Sequence, residues 1–134
     1  MIKKLFNLKK LQADQHISQK QQLNAKIFDL NTKIEEFQNQ INTTGVSEVG
    51  AIRDFYMLEL HRKNLRQQIR NFEIEVSGLK NEVVKEDKII IELTKEKEQF
   101  KYILELEKNK KIANEIKRFE EESSELIQYR HIHG

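Results

Sequence analysis

A chain of 134 residues has room for one domain, and its 34% charged and 37% hydrophobic side chains come with no proline, cysteine or tryptophan. No proline and four glycines leave too few breakers for a many-stranded sheet protein, and without cysteine there is neither a disulfide nor a thiolate metal site. The net charge of +2, left from 24 basic and 22 acidic residues, mixes the signs and lacks the basic excess of a nucleic-acid binder.

The opening residues, Met1 to Lys10, are basic but do not reach the ~7 or more apolar residues of a secretory core, so no signal peptide is expected. Later apolar runs are as short, the longest being Ile89-Ile90-Ile91, against the roughly eighteen residues that span a bilayer. No transmembrane helix and no direct membrane insertion are expected.

The first predicted helix covers about 3–42. Leu23, Ile27, Leu30, Ile34, Phe37 and Ile41 alternate four and three apart, which lines one narrow face of an α-helix. Upstream the stripe is expected to run through Gln22, Gln19, Gln15 and Gln12 before recovering Leu8 and Leu5, an interrupted and loosely held stretch. The next segment, Asn42-Thr-Thr-Gly-Val-Ser-Glu-Val-Gly50, is the cluster of turn formers in the chain and is read as the connector, 42–50.

A second helix is expected over about 51–129, with a frayed tail at 130–134. Its stripe runs Phe55, Leu58, Arg62, Leu65, Ile69, Phe72, Val76, Leu79, Val83, Glu86, Ile90, Leu93, Lys97, Phe100, Leu104, Glu107 and Lys111. It then shifts phase to Ile112, Ile116, Phe119 and Leu126, as a stutter does in a long coiled coil. The polar seam residues Arg62, Glu86, Lys97 and Glu107 weaken the seam and are candidates for fixing its register. Gly78 lies off the seam, where a helix glycine costs ~1 kcal/mol relative to alanine. The fold class is therefore all-α: an antiparallel two-helix coiled-coil hairpin with a longer second helix, in a single domain over 1–134.

At ~1.5 Å per residue the helices are roughly 55–60 Å and 115 Å long. Folding at the connector is expected to pair Ile41 with the region of Ile52 and to bring the first residues beside Lys88. Most of the second helix beyond that point is then left with Phe100, Tyr102, Leu104, Ile112, Ile116 and Phe119 open to water.

Catalytic and cofactor chemistry find no footing in these residues. Neither Gly45 nor Gly50 stands in a phosphate-cradling frame, and a helical hairpin offers convex surfaces to a would-be nucleophile. Of the four histidines, His131 and His133 are close in sequence but lack a third ligand nearby, so no metal site is assigned. His61 precedes seam position Arg62 and reads either as an exposed side chain or as a partner contact. No enzyme activity and no cofactor are expected.

The layout resembles the FliJ family of flagellar type III export proteins. Phe6-Asn-Leu-Lys-Lys-Leu11 is similar to the family's start, Gly45-Val46 with Phe55-Tyr56 to its hairpin tip, and Ser124-Glu125-Leu126-Ile127-Gln128-Tyr129-Arg130 to its closing segment. Ser124 stands where the family often has aspartate, and His61 where an aromatic or aliphatic residue suits the partner-binding face better.

The resemblance implies a stalk-like coiled coil that binds a hexameric flagellar export ATPase, promotes its assembly and activity, and links it to the cytoplasmic domain of the export gate and to export chaperones. It implies a cytoplasmic protein peripherally associated with the inner-membrane export apparatus. Export-gate contacts then fall to Phe55, Tyr56, Met57, His61 and Leu65. ATPase contacts fall to Phe100, Tyr102, Leu104, Ile112, Ile116, Phe119, Leu126 and Arg130. The alternatives are a coiled-coil chaperone or adaptor without an ATPase partner, and a structural homodimer in which two copies cover each other's stripes.

Overall fold

A computed structural model describes residues 1–43 and 52–133, with the His133 side chain excepted. The described chain is all-α. Helix α1 is Ile2–Thr43, 42 residues, and helix α2 is Ile52–His133, 82 residues. These are antiparallel partners with the second helix the longer. The predicted connector lies outside the described residues except at its edge, where Asn42 and Thr43 belong to α1.

α2 is continuous past Lys111 and runs to His133, into the tail expected to fray at 130–134, of which Gly134 lies outside the described residues. The reason is local: no proline occurs anywhere, and after Gly78 no glycine interrupts the chain until Gly134. At Gly78 itself the helix simply continues, and an added Cβ would meet no atom within 4 Å.

The described contacts form two compact units. One comprises Asp14–Ile91, the other Met1–Ala13 with Glu92–Gly134. In the Asp14–Ile91 unit, Leu30, Leu65, Ile69 and Val76 are buried, and Leu23, Ile27, Ile34, Phe37, Ile41, Phe72, Leu79 and Val83 are half-buried. The rings of Phe37 and Phe72 meet with centroids 5.6 Å apart and planes tilted by 41°. Lys33 Nζ lies 5.9 Å from the centre of the same Phe72 ring, within cation–π range. No described side chain is fully buried, as a two-helix seam dictates: each residue on it keeps an edge in water.

The stripe expected on α2 is the one the structure uses, from Leu58 to Leu104. The stripe of α1 differs upstream of Leu23. Lys20, His16, Lys9, Phe6 and Ile2 are half-buried and Ala13 is buried, while Gln15, Gln19, Gln22 and Leu8 are exposed. Stepping back from Leu23 by three and four in turn passes through these residues; of the positions expected there Gln12 and Leu5 are half-buried beside them, and Gln15, Gln19, Gln22 and Leu8 lie off the stripe. Its polar members are matched across the helices: His16 with Glu86 at 2.6 Å and Lys20 with Asp87 at 2.6 Å. In the other unit Lys9 meets Glu96 at 2.5 Å.

These pairs also correct the register. Phe37 faces Phe72 and Lys9 faces Glu96, so the first residues of the chain lie beside the stretch of α2 from Glu96 to about Leu104 and not beside Lys88. A heptad stripe is satisfied equally well by slips of whole heptads, and the charged and aromatic pairs choose among them. Glu86 is one of the polar seam residues singled out for that task. Arg62, by contrast, pairs with Glu59 one turn away on its own helix, Nη1 to Oε1 at 2.8 Å. Lys97 approaches Glu98 only to 3.9 Å.

Candidate protein-binding surfaces

Both ends of α2 present apolar side chains that α1 does not cover. At the N-terminal end the first half-buried seam residue is Leu58 and the first buried one Leu65. Ahead of them Ile52 is 89% exposed, Tyr56 62%, Met57 59% and Phe55 43%. Of the residues assigned to the first surface, Phe55, Tyr56, Met57 and His61 are exposed. Leu65 is not: at 5% exposure it belongs to the core of the Asp14–Ile91 unit. Its stripe position, between Arg62 and Ile69, already places it inward, and a residue packed there cannot also serve as an external contact.

The second surface lies in the unit of Met1–Ala13 and Glu92–Gly134. The Lys9–Glu96 pair sets the first turns of α1 beside this part of α2, so Phe100 and Leu104 are half-buried rather than open. This corrects the earlier starting point of the uncovered stripe, because the true register carries α1 further along α2. Beyond Leu104 the residues from 105 to 132 are exposed, Ser123 excepted. Tyr102, Ile112, Ile116, Phe119 and Leu126 are open to solvent, Phe119 most of all at 71%, and Arg130 stands exposed after them.

Sequence reasoning missed further exposed apolar residues: Ile52 and Leu60 near the first surface, Leu106, Ile127 and Ile132 on the second. Leu106 and Ile127 flank the stripe by one position, and widening a strict seam by one residue would have found them. The surface here is shallow. An open groove of about 370 Å³ is lined by Ile127, Gln128, His131 and Ile132.

Among the described residues no group of His, Cys, Asp or Glu side chains is placed to hold a metal ion. No described helix is long and apolar enough to cross a membrane. What these surfaces can do chemically is bury apolar area against another protein, the Phe, Tyr and Met side chains giving the larger contact areas. Comparison of the chain with protein-family models, with curated proteins and with solved structures finds no match.

Proposed function

We propose that this chain is a stalk-like, non-enzymatic component of a flagellar type III protein export apparatus. Its C-terminal α2 segment enters a hexameric export ATPase and promotes ring assembly and turnover, while the Phe55–Met57 end reaches the cytoplasmic domain of the export gate. The protein works in the cytoplasm against the inner-membrane apparatus and handles export chaperones there.

The observation that supports a sleeve-like partner is the apolar stripe of α2 beyond Leu104, which has no α1 residue left to cover it. The flagellar assignment comes from the resemblance carried by the segments 6–11 and 124–130 and the aromatic pair Phe55-Tyr56. Mixed charge around the stripe suits a protein surface, because interleaved signs can be matched by a partner without the field of a polyanion.

The experiment is the ATPase activity and ring formation of a cognate export ATPase with and without this chain. The expected result is faster turnover and more hexamer. No change in either overturns the reading.

A further inference from the structure

The stretch of α2 from 105 to 132 belongs wholly to the unit of Met1–Ala13 and Glu92–Gly134, and α1 offers it no cover. The shifted stripe of Ile112, Ile116, Phe119 and Leu126, extended at both ends in place of Glu107 and Lys111, is a regular series. From Glu105 the spacing runs four, three, four to Asn109, Ile112 and Ile116, then three to Phe119, then four, three, four to Ser123, Leu126 and Arg130. Such a series reads the same in both directions about a point between Lys117 and Arg118. That point lies near the middle of the uncovered stretch.

We propose that two copies of this chain pair antiparallel through residues 105–130, about a two-fold axis at that point. Ile116 of each copy then meets Phe119 of the other, and these side chains are 54% and 71% exposed in the single chain. Ile112 meets Ser123, and Asn109 meets Leu126. Leu106 and Ile127, beside the seam, meet each other.

Charge selects the direction. At the ends of the seam stand Glu105 and Arg130. A parallel pair sets each against its own copy, like against like, whereas the antiparallel pair sets Glu105 against Arg130 at both ends. On the flanks Lys108 comes beside Tyr129 of the second copy, so the choice of direction rests on the Glu105–Arg130 pairs. Glu115 comes beside Glu122 of the second copy here and beside Glu120 in a parallel pair, so it favours neither direction. Length selects the axis, because pairing about it brings the end of one copy's α2 to the place where the other copy's α1 begins.

This pairing is independent of the export reading. Should both hold, the dimer covers the side chains that the ATPase would grip, and the free chain is stored in a closed form.

The natural chain has no cysteine, so introduced thiols report without background. Sedimentation of the full chain from the low micromolar range upward is expected to show a monomer–dimer equilibrium. I116K with F119K should weaken it at least tenfold while circular dichroism retains the helix content, since both positions are exposed. With a short thiol cross-linker, L106C mixed with I127C should give a covalent dimer, and neither variant alone should.

A chain that stays monomeric, leaving the face for another protein, overturns the proposal. So does a dimer that I116K with F119K does not weaken, or one that L106C alone cross-links. A monomer that still stimulates the ATPase overturns the pairing and leaves the export reading standing.

Discussion

His16 and Glu86, seventy residues apart in the chain, meet across the seam of the Asp14–Ile91 unit with Nδ1 2.6 Å from Oε2. An ionised carboxylate accepts only, so the imidazole donates its Nδ1–H. Both side chains are largely withdrawn from water, at 29% and 18% exposure, which makes the bond stronger than a surface contact and its loss more costly.

Removing either partner should therefore destabilise the chain by about 1 kcal/mol, and a double-mutant cycle of His16→Ala with Glu86→Ala should return a coupling of similar size. The check is urea denaturation followed by circular dichroism. Leucine at both positions should match or exceed the natural stability, because the seam prefers apolar residues while the polar pair restricts register.

The register is open to a direct test by cross-linking. Cysteines at His16 and Glu86 should be joined within one chain by a short bifunctional thiol reagent, whereas cysteines at Ile41 and Ile52 should not. Mass spectrometry after proteolysis distinguishes the two, and efficient closure of the second pair would refute the pairing of Phe37 with Phe72.

Burial predicts a sharp contrast along one helix. Ile69→Ala and Leu65→Ala remove side chains that are 7% and 5% exposed and should cost about 2–3 kcal/mol, the low end for core truncation because the seam is thin. Ile74→Ala, at a position 72% exposed, should change stability by less than about 0.5 kcal/mol. Phe55→Ala and Tyr56→Ala should behave like Ile74→Ala in thermal melts. If these two positions touch the export gate, the same variants should weaken gate binding without lowering the melting temperature.

Gly78→Ala should stabilise the chain by about 1 kcal/mol, since the new Cβ meets no atom within 4 Å and alanine restricts the unfolded chain. Thermal unfolding reads it as a raised midpoint. A lowered midpoint would mean that Gly78 carries a role its open surroundings do not reveal.

Much of the fold was legible because helix periodicity is a local property. The α2 stripe from Leu58 to Leu104 could be counted off the residues, and so could the α1 stripe from Leu23 to Ile41. Upstream of Leu23 the count fell on four exposed positions, Gln22, Gln19, Gln15 and Leu8, and on two half-buried ones, Gln12 and Leu5. There Lys20, His16 and Lys9 occupy the seam, and a charged residue looks out of place in a seam until its opposite partner is known. The gate contacts implied by the resemblance took in Leu65 with the open Phe55 to Met57, although its place in the stripe between Arg62 and Ile69 already set it inward.

Residue order alone dictates two long helices, their inward faces and the absence of breakers after Gly78, because spacing of three and four and the lack of proline act within a few turns of each residue. Which heptad of α1 lies against which heptad of α2 is decided only by the folded pair. The apolar stripe repeats, so it tolerates slips of a whole heptad. The contacts that do not repeat are Phe37 on Phe72, His16 on Glu86 and Lys9 on Glu96, and through them the uncovered surface of α2 begins after Leu104.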